Sequence, residues 1–380
     1  MIALAWLALL GLFALATVLG RRLGLLPIVS QLLLAICGLP LLLSVQPLGL
    51  QAPDLLAPDW LQGAYAVAFS LLLGHILSDV VELRLQPGSV QIALPSFFVP
   101  FFCGLACALW LLPALDALAC VAVGLLFALT AIPVLFLYLQ HLNYPPLRVR
   151  QLMQAAILMD LLCWLIFALA KGVSAPHSLL WPLLAGCLPL LCRGLRWRSA
   201  RFNGLCFFVV LLVLQWLGSN PLLFGILYLL LLAALRQPLA LPLPSHWLAS
   251  LQTWLLVPLI LAYGLLQVDW SQAWQGYDAW QFAALLGLPI ISKLVGNWLG
   301  LSWAEGRLGW RAGKWRESLL LNTRGLTEII FLNLLFQQQL IGAPLYCALM
   351  LMGLIATLLP AMTGGYVNTH NEARSRHEVS

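Results

Sequence analysis

Apolar residues run along this chain in long blocks, and polar residues fall between the blocks rather than alternating with them. Alternation at every second position would read as a half-buried strand, whereas uninterrupted apolar runs of about 20 residues read as bilayer-crossing helices. Bounding each run by charges, by Gly or Pro, or by polar clusters predicts thirteen spans. They lie near residues 2–19, 25–44, 62–79, 92–113, 117–139, 151–171, 178–192, 204–218, 221–235, 250–267, 280–301, 317–336 and 343–362. The expected fold class is an all-α polytopic membrane protein with about 13 transmembrane helices. Residues 1–362 form the membrane domain, and residues 363–380 form a short cytoplasmic tail, polar and expected to be disordered.

Composition closes off the soluble alternatives. Of 380 residues, 62% are hydrophobic and 8% charged, against about a quarter charged in an ordinary soluble domain. Nineteen Lys and Arg against thirteen Asp and Glu give a formal charge of +6, and topology accounts for that excess. With the N-terminus outside, the loops assigned to the cytoplasm hold Arg21, Arg22, Arg84, Arg148, Arg150, Arg193, Arg196, Arg198, Arg201, Arg236, Arg307, Arg311, Lys314 and Arg316, and the tail adds Arg374 and Arg376. The opposite side holds Lys171 alone. Such asymmetry predicts an N-out, C-in topology and an odd number of spans. It leaves the basic loops no partner beyond anionic lipid headgroups and gives no reason to expect nucleic acid. Met1–Gly20 is uncharged and precedes Arg21 and Arg22, the reverse of a cleavable signal, so it is expected to stay as the first span. Nine cysteines without C-x-x-C spacing support neither a disulfide framework nor a structural metal. No cofactor is expected.

Four ionisable residues fall deep within spans: Asp160, Lys293, Arg324 and Glu328. Each costs several kcal/mol, of order 2.5–3.5 on insertion scales, so four together imply a watered or mutually paired interior. Asp160 follows Ala155 and Ala156 by about one turn, and those small residues let another backbone approach. Its carboxylate can hold a proton or a small cation in turn, or serve as a structural, paired aspartate. Lys293 shares a helical face with Asn297, four residues on. A desolvated lysine can release a proton as a cation enters, or it can stand as the counter-charge of Asp160. Both alternatives are open at this level.

Two spans carry signs of a break. In Phe127-Ala-Leu-Thr130-Ala131-Ile132-Pro133-Val134 the proline lacks an N–H and frees carbonyls near Leu129 and Thr130. In lipid those groups need protein, water or an ion, unless the proline only kinks the helix. The twelfth span reads Leu319-Leu-Leu-Asn322-Thr323-Arg324-Gly325-Leu-Thr327-Glu328, a polar stretch ending in a helix-breaking glycine. Arg324 is placed to neutralise the negative ends of half-helices, and Glu328 to pair with it at i, i+4. Spans five and twelve are seven crossings apart and so run in opposite senses. Two interrupted helices in oppositely oriented halves point to an inverted-repeat secondary transporter, spans one to six matching eight to thirteen.

With these residues in place, the chain resembles the cation:proton antiporter superfamily, in particular the monovalent cation:proton antiporter-2 branch with its sodium/hydrogen exchanger-like domain. Thr130-Ala131-Ile132-Pro133-Val134-Leu135 is similar to that family's broken helix, Ala155-Ala156-Ile-Leu-Met159-Asp160 falls where the family has "AAVIND", and Lys293-Leu-Val-Gly is similar to "GKFLG". Leu23-Gly-Leu-Leu-Pro-Ile-Val-Ser-Gln and Gln215-Trp-Leu-Gly218-Ser-Asn-Pro221 resemble two further runs. Asn322-Thr323-Arg324-Gly325-Leu-Thr-Glu328-Ile-Ile resembles "NTRGLVELI" most specifically.

The resemblance implies a homodimer in the plasma membrane (a bacterial inner membrane) that exchanges Na⁺ or K⁺ for H⁺, a transporter rather than an enzyme. It implies a scaffold near 1–90 and 200–270 and a mobile core near 91–175 and 280–362. Asp160, with Thr130 and Ala131, would bind the transported cation or proton, and Pro133 and Gly325 would break the helices. Lys293 and Arg324 would compensate charge, with Lys293 a possible proton carrier; Asn322, Thr323, Glu328 and Asn297 would support them. One departure is plain: the family has Asn-Asp or Asp-Asp where this chain has Met159-Asp160. That departure keeps a transport-impaired or channel-like homologue as an alternative. An integral membrane enzyme is the remote one, its nearest candidate pair being His75 and Asp79.

Overall fold

The structure, a computed structural model, describes residues 2–23, 25, 27–41, 52–78, 86–142, 144–174, 180–194, 199–217, 221–240, 245–268, 277–306 and 312–377. Among them all regular structure is helical. In chain order the helices are α1 (Ile2–Arg22), α2 (Pro27–Leu41), α3 (Ala52–Leu56), α4 (Asp59–Ser78), α5 (Pro87–Leu111), α6 (Ala117–Ala128), α7 (Ile132–His141) and α8 (Pro146–Ser174). They continue with α9 (Leu180–Arg193), α10 (Ala200–Trp216), α11 (Pro221–Ala234), α12 (Ser245–Leu251 running on as Gln252–Leu266), α13 (Ala279–Ala304), α14 (Ala312–Leu321), α15 (Leu326–Gln337) and α16 (Ala343–His377). Every predicted apolar run overlaps a helix, or in two cases a pair of half-helices. By length and composition α1, α5, α8, α13 and the Ala343–Pro360 part of α16 can each cross a membrane unaided. The short helix α3 is not expected from the pattern, because Ala52–Leu56 is only one turn and a half of apolar sequence. The tail also differs from expectation: α16 continues as helix to His377. Nothing between 361 and 377 is a proline, and Glu372, Ala373 and Arg374 are good helix formers, so polarity alone does not end the helix.

Local chemistry sets the ends that matter for the site. Asp116 caps α6, its side chain accepting from the Ala119 N–H at 2.7 Å. Asp278 and Gln281 form a reciprocal capping box at the start of α13. Pro87 and Pro133 occupy the first turns of α5 and α7, where a missing N–H is harmless.

The interior is built on α13 lying along α5, with α6 on the other flank of α5. Glycines permit this approach. A Cβ on Gly300 would stand 2.4 Å from the Ile92 carbonyl oxygen, and one on Gly296 2.7 Å from that of Pro95. Gly104 and Gly124 play the same part between α5 and α6, where a Cβ on Gly104 would meet the Gly124 Cα at 2.9 Å. Without a hydrophobic drive between helices in lipid, this close backbone contact supplies the van der Waals energy of association.

Overpacking of this seam predicts that Gly300→Val lowers the thermal unfolding midpoint in detergent, at a cost of about 1–3 kcal/mol. Gly287→Val on the same helix, where an added Cβ meets nothing within 4 Å, should not. Equal losses in the two variants would show that the contact with α5 is not the cause.

Candidate ion-binding site

The chain breaks where the sequence suggested, and the breaks touch. Between α6 and α7, Leu129 and Ala131 take extended torsions (φ −58°, ψ 153° and φ −87°, ψ 95°). Residues 322–325 separate α14 from α15. The Ala131 N–H donates to the Thr323 carbonyl at 2.9 Å, and the Thr130 hydroxyl to that of Leu321 at 3.3 Å. Gly325 is needed at the contact, since a Cβ there would come within 3.1 Å of both Ala131 and Val134.

Ending a helix inside the membrane leaves carbonyls with no partner along the chain, and two cations take those of α6. Arg324 donates to the carbonyls of Leu126 and Phe127, the latter at 2.7 Å. Lys293 donates to the carbonyl of Ala128 and to that of Ser96 at 3.2 Å. Ser96 lies four residues before Pro100, which has no N–H to give it, so proline chemistry in α5 creates this second acceptor. The C-terminus of α14 is satisfied as fully. Asn297 donates to the Ser318 carbonyl at 2.9 Å, the Asn322 and Thr323 amides fold back to Leu319 and Leu320, and the Thr323 hydroxyl also reaches Leu320. Thr357 of α16 donates to the Arg324 carbonyl at 2.7 Å.

The four deep ionisable residues are all sequestered: Asp160 is 3% exposed, Lys293 0%, Arg324 1% and Glu328 3%. Asp160 accepts from the Thr327 hydroxyl at 3.3 Å, which ties α8 to the first turn of α15. Glu328 lies 3.7 Å from Arg324, and its carboxylate fills the space over Gly353, where a Cβ would stand 2.8 Å from Oε2. The side chain of Asn322 is fully buried, and its polar atoms have no hydrogen-bond partner among the described residues. Asn297 shares a helix face with Lys293 yet reaches α14 instead. The site thus joins α6, α8, α13 and α15 through their polar groups.

Sequence reasoning does not find every participant. Met159 faces Lys293, its sulfur 3.5 Å from Nζ, and nothing in an apolar Met beside Asp160 marks it as a contact. Thr327 and Thr357 read as ordinary membrane threonines. A second polar cluster corrects one expectation: Arg148 and Lys314, expected to have no partner beyond lipid headgroups, are paired with acids. Arg148 forks onto Glu317 with Nε at 2.8 Å and reaches Glu305 at 3.2 Å, while Lys314, 2% exposed, lies 3.4 Å from Glu305. The ends of α8, α13 and α14 converge there, so the charges meet one another. All nine cysteines are free thiols, and the described residues hold no cluster of three His, Cys, Asp or Glu side chains able to hold a metal. Of the remote enzyme pair, Asp79 lies outside the described residues.

No family model and no curated protein matches the sequence. Among solved structures, the sodium proton antiporter MjNhaP1 from Methanocaldococcus jannaschii at pH 8 matches with a TM-score of 0.60 at 15% identity, covering 95% of each chain. The likeness extends over nearly the whole length of both proteins, and it shows that the two share a fold.

Removing the guanidinium tests whether the cap holds the site together. Arg324→Met leaves two carbonyls and the Glu328 carboxylate without their donor, an expected loss of about 3–5 kcal/mol in thermal or denaturant unfolding. Adding Glu328→Leu should recover part of it. A double variant no more stable than the single one would show that the pair is not coupled.

Proposed function

We propose that the protein is a secondary active antiporter that exchanges a monovalent cation, Na⁺ or K⁺, for H⁺ across the plasma membrane, with Asp160 as the group both ions visit. The observation that carries this reading is one buried carboxylate on α8 held by Thr327, beside two helix breaks whose carbonyls already have donors, Lys293 and Arg324 at the first and neutral groups at the second. A metal ion and a proton compete for that carboxylate, and a proton arriving from one side expels the cation. Coupling then needs no further chemistry. The fold shared with an archaeal sodium proton antiporter supports the same assignment.

In this proposal thirteen spans cross the membrane with the N-terminus outside and the C-terminus inside. Residues near 91–175 and 280–362 move as a core against a scaffold near 1–90 and 200–270, carrying the site between the two faces. Across that boundary Asn333 of α15 donates to the Ile260 carbonyl of α12 at 3.1 Å, and within the core it accepts from Tyr346 at 2.8 Å. Two copies would associate through the scaffold, with the outward apolar faces of the remaining helices in lipid. Thr130 and Ala131 line the break nearest the competing ions. Asn322, Thr323 and Asn297 keep the second break in shape, and Pro133 and Gly325 create the interruptions. Glu328 neutralises Arg324.

Everted membrane vesicles with a pH-sensitive dye test the assignment directly. Adding Na⁺, K⁺ or Li⁺ should release the trapped proton gradient, and Asp160→Asn should reduce that response to background while leaving the protein folded in detergent. Thr327→Val, which removes one hydroxyl donor worth about 1 kcal/mol, should raise the half-saturating cation concentration roughly 5-fold. Cation-driven proton release that survives Asp160→Asn would remove this carboxylate from the mechanism, and cation flux without proton movement would indicate a channel.

A further inference from the structure

Helices α13 and α14 pack antiparallel, and two side-chain contacts fix their register. Asn297 donates to the Ser318 carbonyl at 2.9 Å, and Lys314 donates to the Ser302 hydroxyl at 3.5 Å. One turn further in, the same register sets Asn322 level with residue 293. Lys314, Ser318 and Asn322 follow one another at four-residue spacing and so continue one face of α14, where they are 2%, 0% and 0% exposed. Four polar atoms along this seam have no hydrogen-bond partner among the described residues: Asn297 Oδ1, Ser318 Oγ, and both side-chain polar atoms of Asn322. Buried polar atoms left dry are costly and rare, and internal water that makes about three hydrogen bonds is the usual answer to a group of them. At one end of the seam stand Arg148, Lys314, Glu305 and Glu317, two charges of each sign. At the other lies the second helix break, beyond which Thr327 donates to Asp160. The eight residues from Lys314 to Asn322 cover about 12 Å at a helical rise of about 1.5 Å each.

We propose that water fills the seam between α13 and α14 and passes protons between the cytoplasm and Asp160 through the inside of the core, apart from the route of the metal ion. The inference rests on the antiporter reading and adds to it a path for one of the two ions. A proton leaving the Asp160 carboxyl is taken up by water at the level of Asn322. Each oxygen beyond accepts one proton and gives one up, and the last releases it beside Glu305 and Glu317. The Ser318 hydroxyl can serve as one of these oxygens, because it both donates and accepts. The amides of Asn297 and Asn322 hold the water in line. A metal ion has no equal use of the seam, since it must move whole and exchange its water shell for other oxygens. Residues 293–302 and 318–322 offer it no carboxylate.

The whole chain, purified into liposomes, permits two measurements with one labelled cation, Na⁺ or Rb⁺ in place of K⁺. Proton-coupled exchange, followed with a pH-sensitive dye, needs both ions. Self-exchange of the cation, at equal concentration and pH on the two sides, needs the site and its movement but no proton. Ser318→Val and Ser318→Thr introduce side chains of the same shape that differ in the hydroxyl. At saturating cation, Ser318→Val should slow proton-coupled exchange about 10-fold, the rate equivalent of one hydrogen bond lost from the path. Ser318→Thr should stay within about 2-fold of the unmodified protein, and neither variant should change self-exchange by more than that. Should both fail to fold, Ser318→Ala takes their place, with the loss expected of Ser318→Val. Equal loss of coupled exchange and self-exchange, equal loss in the Val and Thr variants, or no loss in the Val variant would overturn the water path and leave the antiporter reading standing. Self-exchange without proton coupling in the unmodified protein would overturn the antiporter reading and this inference with it.

Discussion

A backbone carbonyl inside a bilayer has no water to fall back on, and each one left without a donor costs several kcal/mol. A chain that interrupts two helices within the membrane must therefore supply donors from elsewhere, and much of this structure follows from that need. Arg324 and Lys293 close the end of α6, while Asn297, Thr130 and the turning amides of Asn322 and Thr323 close the end of α14. The first break donates into the second, through Ala131 to Thr323 and through Thr130 to Leu321, and Arg324 of the second donates back to Leu126 and Phe127. Neither interruption would be tolerable alone. Together they form an opening in the helical framework with its polarity accounted for and one carboxylate, Asp160, set beside it.

The same constraint recurs away from the site. Gln252–Leu256 winds as a π-turn in which the Thr253 carbonyl would look to residue 258, and that residue is proline. Gln31 of α2 fills the gap, its amide donating to Thr253 at 2.7 Å and to Thr17 of α1 at 3.0 Å. Here a proline creates an acceptor on one helix and a buried amide on another answers it, the pairing seen at Ser96, Pro100 and Lys293. Such bonds hold helices in one register without depending on the hydrophobic effect, which lipid removes. Glycines complete the arrangement where two backbones must touch, at Gly296 and Gly300 along α5 and at Gly325 between the breaks.

Much of the fold was legible in the order of residues, and less of the site. Apolar runs locate the helices because hydrocarbon selects on composition along each segment, a strictly local quantity. Asp160, Lys293, Arg324 and Glu328 stood out because charge is rare and costly there, and both breaks because Pro133 and Gly325 act on their own backbone. Met159 stood out only as a departure from the family pattern, and its contact could not be seen until a lysine on a helix 134 residues away was placed against it. Arg148 and Lys314 were misjudged for a related reason. Charge counting assigns a basic residue to a side of the membrane but says nothing of which acid, Glu305 or Glu317, the helix ends bring to it.

By itself the sequence determined that the chain is a membrane protein of many helices, with four ionisable groups in its interior and two helices that cannot continue unbroken. Those are properties of single segments in a solvent that punishes polarity. Only the tertiary structure decided which carbonyls each cation caps, that Thr327 rather than a second acid stands at Asp160, and that the neighbour of Lys293 on α8 is a sulfur. These depend on how helices far apart in the chain lie against one another, and hydrogen bonding at about 3 Å reports that placement where composition cannot.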